Sequence, residues 1–529
     1  WAFLWAFFGH LNAQFALAVK FGEPGKLSLP NHTIKLESGK FIHVRKVGLS
    51  STVVFDLLDN QMNTLKSVES DLTFKWDDSG KQKYFRAIEF WNGKLYVFYS
   101  IAEGGGNYDL YYEGVKQYKL FAEEIDQSSL SLSGNLIAIG HFDKKSDYEF
   151  EQELHFVKSA NEQRMLIYLV ENLKIRSKEK MEHLQMIVLD ESLKVLWQKK
   201  GFKSTRKAKS VYMGAVVNNQ GEAFVLEQLN TGKFIKALEK YPDRTYFLHK
   251  IDKQGAVSIT KEIQLKDRFA IHLNLSMDLN EDLLVCGVFY TANEGNGILY
   301  MPFDQFSLRK GRPTFNLFDP EYVVQGYSEG AISKAKKVNG KGKLLNLPIT
   351  IREVIHRPDG GLVILGENLR NYNNGGLNGR YYYFLNEIYI IHLDAMGKID
   401  WNNKISKKQH FQANGYKKSP SWGEYRHTSF TWVNHDEDII LLFNDHESNV
   451  ALDKDLIDTK STSSNLFSCL NAVRIDDTGV MERKQIFNSA IYRVKIFPAC
   501  SKVLNKERTE LVLIGFYRKK ARLAHLIVE

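Results

Sequence analysis

Short apolar runs, filled at consecutive positions rather than at every second one, alternate with polar turns along most of the chain. "EIYIIHL" (387–393) is apolar on both faces, as expected of a strand buried between two layers. Asp394 and Gly397 follow it. An Asp side chain bonds the backbone N–H groups of its own turn, and Gly tolerates positive φ, so a tight hairpin is predicted. "KIDW" then starts the returning strand, with Trp401 placed to cover the edge of a neighbouring element.

The phrase recurs. "MIVLDESLKVLW" at 186–197 and "IIHLDAMGKIDW" at 390–401 stand 204 residues apart. Related turns carry Asp59, Asp126, Asp252, Asp304 and Asp476, with Gly255 and Gly479 repeating the Gly. Asp190 is followed by Leu193 where Gly397 stands in the other copy, and a different turn geometry is expected there. The seven Asp positions span 417 residues in steps of 52 to 90. Before each phrase lies a second one, a polar turn and an apolar strand, as in "NGKLYVFYSI" (92–101), "NEDLLVCGVFY" (280–290) and "DEDIILLFND" (436–445). About eight such pairs can be marked, and no helical period separates them.

A diverged repeat of strands alone predicts an all-β protein, a β-propeller of seven or eight four-stranded blades. A blade with two apolar faces buries them only against its neighbours, so the ring must close. The final "LAHLIVE" (523–529) has no outer partner after it, and an N-terminal strand within 15–47 is expected to complete that blade. One domain, 14–529, follows, with a basic insert at about 305–350. Within the insert a short helix is predicted over 322–337, followed by the exposed basic stretch of Lys334, Lys336, Lys337, Lys341 and Lys343.

Composition adds little to this picture. Of 529 residues, 43% are hydrophobic and 25% charged, which are globular values that exclude global disorder. The net charge of +9 suits an acidic partner without selecting one. Cys286, Cys469 and Cys500 show no metal-ligand spacing; Cys286 reads as core, and Cys469 with Cys500 is the pair open to bonding. "WAFLWAFFGHLNAQ" reads as the apolar region and cleavage site of a secretory signal, cut after Ala13, so residues 1–13 are a signal remnant and the protein is expected to be exported. No later stretch reaches the roughly 18 apolar residues of a transmembrane helix.

The richest polar cluster is 409–449. "QHFQANGYKKSPSWGEYRHTSF" carries Trp422, Tyr425, Arg426 and His427, and Asp445, His446 and Asn449 lie just past the next apolar strand. Aromatics beside Arg and His suit a sugar or an anionic group, and these seven residues are the ligand-binding candidates. Satisfied turn residues are the plainer reading of the same letters. The basic run "QKKGFKSTRKAKS" (198–210) has one aromatic, Phe202, and reads as a solvated hairpin, so no nucleic-acid partner is expected. Gly/Asn/Tyr stretches at 102–114 and 370–387 read as adaptable hairpin tips. No nucleophile elbow, zinc-protease or dinucleotide motif is present, and neither a catalytic residue nor a metal or other cofactor is assigned.

"LDAMGKIDW" resembles the AxDxxTGxxxW repeat of pyrroloquinoline-quinone dehydrogenases, but its turn is one residue shorter and lacks the Thr. The sialidase Asp-box fails too, since Trp401 follows Asp394 by seven residues instead of five. "LVCGVFYTANEGNGILYMPFD", "GGLVILGENLRNYNN", "IYIIHLDAMGKIDWNNKISKKQ" and "LLFNDHESN" together resemble exported propeller-like proteins of Bacteroidota that have no established activity. That resemblance covers about residues 150–529 and implies an envelope location, periplasmic or associated with the outer membrane. The function expected is a non-catalytic binding or scaffold propeller that engages an envelope protein complex through its loop faces. A carbohydrate-active hydrolase or lyase, or a glycan-binding protein, with its site in 409–449, is the alternative.

Overall fold

The computed structural model describes residues 17–22, 32–46, 53–70, 83–103, 117–143, 154–175, 179–200, 209–234, 242–265, 268–291, 295–325, 329–330, 332–333, 347, 349–373, 380–414, 428–449, 468–492, 494–505, 507–517 and 520–528. The chain is all-β. Eight antiparallel sheets follow one another as blades one to eight, at 32–70, 83–143, 155–200, 209–263, 268–317, 349–414, 431–488 and 495–528. Six sheets take four strands in chain order; blade six adds Gln409–Asn414 beside its third strand, and blade eight takes its outermost strand from the N-terminal part of the chain. First strands of successive blades approach one another around the axis, while fourth strands such as Thr64–Ser70 and Val257–Ile263 are largely exposed. Every residue of the second strand Leu283–Thr291 is buried, as is every residue of the third strand Val53–Leu58. The paired phrases of the sequence are the second and third strands of the eight blades.

Eight hydrophobic clusters lie one at each blade interface. The last of them joins Val512, Ile514 and Leu523 of blade eight to Phe41, Leu58 and Met62 of blade one, and so closes the ring. Burial of one such Leu, Ile or Val side chain stabilises the fold by about 1.5–3 kcal/mol. The ring is a β-propeller. Its closure is as predicted: the strand Leu17–Phe21 pairs antiparallel with Lys520–Val528, Val19 facing Leu526, and supplies the outer strand of blade eight. Gly22 then passes so near blade one that a Cβ there would meet the Met62 carbonyl oxygen at 2.1 Å. The predicted leader 1–13 and its cut lie outside the described residues.

The turn between third and fourth strands repeats closely. Oδ1 of Asp394 accepts the N–H groups of Met396 at 2.9 Å and Lys398 at 2.8 Å, and Oδ1 of Asp190 accepts those of Ser192 and Lys194, both at 2.9 Å. Leu193 therefore does not change the geometry, contrary to expectation: it adopts φ +62°, where Gly397 has +75°. Left-handed backbone costs a Leu about 1–2 kcal/mol. The cost is offset because the Leu193 side chain is 1% exposed in the core between blades two and three. Met62, Leu130 and Leu308 do the same in blades one, two and five. Where Gly holds the position, the preceding blade fills the space: Trp197 lies on Gly255, Tyr300 on Gly397 and Trp401 on Gly479. Trp401 also donates Nε1–H to the Asp477 carbonyl at 2.9 Å, the edge-covering role expected of it.

Two further expectations are corrected, and the open question of Cys469 and Cys500 is answered. The insert helix is Pro320–Val324, earlier and shorter than 322–337. Asp319 caps it by accepting Glu321 N–H at 2.7 Å, Pro320 starts it, and the buried Lys404 ammonium donates to the carbonyls of Tyr322 and Gln325 at its end, at 2.9 and 3.1 Å. Further helical residues occur at 329–330 and 332–333, and 334–346 lies outside the described residues. The basic run 198–210 is no hairpin: it leaves the outer strand of blade three and enters the inner strand of blade four. Cys469 and Cys500 are unbonded; all three thiols are free and buried, and burial pushes each up to about 12.

Candidate functional site on the loop face

Antiparallel strands place alternate links at opposite ends of a blade. Links between first and second, and between third and fourth, strands form one face, built mostly of short turns such as 36–40, 218–222, 394–398 and 436–437. The remaining links share the other face, and the longest of them, 71–82, 104–116, 318–348, 415–427 and 450–467, all leave from strand ends there. Asp445, His446 and Asn449 stand on this loop face, at the end of the strand Asp438–His446 and in the turn Glu447–Asn449.

Asp445 is fully buried. Its Oδ1 accepts His446 N–H at 2.8 Å and the Asn449 amide at 2.6 Å, and its Oδ2 pairs with the Arg483 guanidinium, which lies over the Phe443 ring. Burial pushes the carboxyl above its usual range, against Arg483 and Asn449, which favour the charged form. Asp445 thus holds the strand end and its turn together and presents no oxygen to solvent. Asn449 is buried with it. His446 is half-buried, with Nδ1 2.6 Å from Ser448 Oγ. Trp422, Tyr425, Arg426 and His427 lie outside the described residues.

A second buried network stands beside the first. Glu367 is fully buried in the second strand of blade six. Its Oε1 takes the Lys407 ammonium at 2.7 Å, and its Oε2 takes Arg352 at 2.8 Å and the Ser429 hydroxyl at 2.9 Å. Burial opposes the charge, but Lys407 and Arg352 outweigh it and hold the carboxyl below its usual range. Lys407 also donates to Leu385 O and to Gln409 Oε1, both at 2.9 Å. Gln409 accepts Ser429 N–H and donates to Asn444 O, each at 2.7 Å. Asn444 in turn donates to Ile496 O at 2.7 Å, so the chain of bonds runs from blade six to blade eight.

The result is a braced platform. The segment 415–427 leaves after Asn414, at the far end of the strand that starts at Gln409, and returns next to Ser429, which bonds Gln409; 450–467 leaves beside Asn449 and returns at Ser468, which pairs with His446. Blade six also carries an extension: the start of Arg380–Leu393 pairs with the end of Leu362–Asn373 on one side and with Gln409–Asn414 on the other. Tyr383 and Phe411 stack there at 4.8 Å, over Leu369 and Leu385. Sequence reading missed Glu367, Arg352, Lys407 and Arg483. The available signal was an acid inside the apolar run "GGLVILGEN". Among the described residues, no group of three His, Cys, Asp or Glu side chains is placed to hold a metal ion.

No protein-family model matches the chain, and no curated protein matches it. Among solved structures, it is similar to prolyl oligopeptidase B from Galerina marginata at 10% identity and TM-score 0.38, over 94% of this chain and 55% of that one, so it spans about half of that protein's length. It is similar to the WD40 domain of SCAP from fission yeast at 9% identity and TM-score 0.38, over 97% and 98%. Similarity to quinohemoprotein alcohol dehydrogenase ADHIIG from Pseudomonas putida HK5 stands at 8% identity and TM-score 0.42, over 97% and 76%. These values carry nothing about ligand or reaction.

Proposed function

We propose that the chain is a non-catalytic binding or scaffold propeller of the bacterial cell envelope, which engages protein partners through its loop face. The observation that carries this reading is the asymmetry of the two faces. One is built mostly of short turns, and the other bears the longest links, of which 450–467 and the returning end of 415–427 are rooted on the networks of Asp445 and Glu367. A rigid base beneath variable links is the usual arrangement of a recognition surface. The apolar leader and the resemblance to exported propellers support the envelope location. Burial of Asp445 weighs against its use as a catalytic acid or base, because that role requires hydrogen-bond reach of a substrate.

The test is native purification of the full chain from its membrane fraction, with mass measurement of the intact assembly. A partner at fixed stoichiometry, released by Arg426→Glu or Trp422→Ala in the segment 415–427 and retained in Asp394→Asn on the turn face, is expected. A monomer that degrades a glycan, with turnover lost in His446→Ala, would overturn the proposal in favour of the carbohydrate-active reading.

A further inference from the structure

The two copies of the twelve-residue phrase end on the turn face, and there they differ. Strand register aligns them: Val188 pairs with Trp197 in blade three as His392 pairs with Trp401 in blade six. By the same register Leu196 corresponds to Asp400, Arg164 to Gly361 and Glu191 to Ala395. Between blades three and four the groove is filled. Leu196, Val188 and the stem of Arg164 converge on Gly221 of blade four, and Arg164 pairs with Glu191 at 2.5 Å.

Between blades six and seven the same groove is open. A cleft of about 540 Å³ lies there. Gly361 and Ala395 supply no stem and no ion pair, and a side chain at Gly361 would run into the Leu393 carbonyl, 2.7 Å from its Cβ, and His392 Nε2, 3.3 Å away. His392 and Asp400 replace two apolar groups with two polar ones. The His392 side chain is 9% exposed; its Nδ1 lies 3.3 Å from Asp400 Oδ2, and its ring stacks on Trp401 at 5.2 Å. A neutral ring that gives its Nδ1–H to Asp400 leaves a lone pair on Nε2. Nε2 has no hydrogen bond among the described residues, and the ring lines the cleft.

The rest of the lining is also rich in acceptors. Asp359, Glu437 and Asp477 present carboxylates that form no ion pair among the described residues. Arg357 is the lining's guanidinium, and it is held on the Glu437 carbonyl. An acidic, acceptor-lined cleft with an indole in its wall fits a ligand that brings positive charge and N–H donors.

We propose that this cleft binds a lysine or arginine side chain of a partner polypeptide, its ammonium or guanidinium group lying among Nε2 of His392 and the carboxylates of Asp400, Glu437 and Asp477. The proposal concerns the turn face and stands independently of what the loop face engages.

The test is calorimetric titration of the full chain with acetyl-Gly-Arg-Gly-amide, acetyl-Gly-Lys-Gly-amide, the Gln-centred peptide of the same length, and spermidine. The expected result is binding of the Arg or Lys peptide at least tenfold tighter than the Gln peptide, weakened by added salt. His392→Val with Asp400→Leu installs the residues that blade three carries. It should not lower the melting temperature, and it should weaken the cationic peptides at least tenfold. Asp477→Asn, an exposed turn change, should weaken them severalfold and serves if the double variant fails to fold. Equal binding of the Gln peptide, no binding of either cationic peptide, unchanged affinity in folded variants, or binding of spermidine alone would each overturn the proposal.

Discussion

Lys407→Met is the most direct probe of the platform beneath the loop face. The Lys407 ammonium sits 2.7 Å from Glu367 Oε1, and neither side chain has any exposure. Removing one partner of a buried pair costs about 3–5 kcal/mol, because the other charge is left without its counter-ion. Arg352 still covers Oε2 at 2.8 Å from a side chain 23% exposed, which places the ionic loss near the lower end of that range. Leu385 O and Gln409 Oε1 lose a donor as well, at about 1 kcal/mol each. The expected total is about 4–5 kcal/mol, read from urea unfolding followed by tryptophan fluorescence. Glu367→Gln in the same chain removes the stranded charge and should restore about 1–2 kcal/mol. The pH dependence follows from the sign of the shift. The folded wild type holds Glu367 below its usual range, so its contribution is complete above the unfolded value of about 4.3 and is lost as pH falls through the lower folded value. Without Lys407, burial raises the carboxyl instead, and protonation then relieves the variant. The gap between variant and wild type should therefore narrow as pH falls from 7 towards about 4. A cost below about 1 kcal/mol, or a gap independent of pH, would refute the assignment of this pair as the brace.

Three other outcomes are expected. Leu193→Ala loses a buried side chain at about 2–5 kcal/mol, whereas Leu193→Gly also relieves the φ of +62° and should be about 1 kcal/mol less destabilised in the same assay; equal losses would mean the left-handed turn carries no strain. Cys286, Cys469 and Cys500 should resist a thiol reagent in the native protein at mildly alkaline pH and yield three equivalents after denaturation, and a yield of one would reveal a Cys469–Cys500 bond. Val19→Asp places a carboxylate against the apolar cluster of blades seven and eight and should cost about 2–4 kcal/mol by urea unfolding; a loss under about 0.5 kcal/mol would mean the strand Leu17–Phe21 does not secure the ring.

The second and third strands were legible because both faces of each are buried, which leaves an unbroken apolar run. First and fourth strands such as His32–Lys35 and Thr64–Ser70 are short or half-polar, so the blade count stayed open at seven or eight. The shared geometry at Leu193 was hidden because a rule about φ alone ignores what burial offsets. The helix start was written in Asp319-Pro320 but lost against the longer apolar pattern after it. Asp445 read as a surface ligand because its Arg483 partner is 38 residues away, and Glu367 drew no notice because Lys407 is 40 away. Charge pairs between strands far apart in the chain leave no local pattern, and here they decide which polar residues are structural.

Repetition supplies what a single copy lacks: each blade is a control for the others. Gly397 differs from Leu193, but Tyr300 of the preceding blade fills the space the Leu would take, so the interface is restored and the difference is structural. Gly255 under Trp197 and Gly479 under Trp401 are restored in the same way. His392 and Asp400 differ from Val188 and Leu196 with no such restoration. Among the described residues nothing takes the place of Leu196 or of the Arg164–Glu191 pair, and a cleft remains. A compensated difference answers to packing. An uncompensated one gives up packing energy at that interface, and the ligand that would recover it is the cation that His392→Val with Asp400→Leu should exclude.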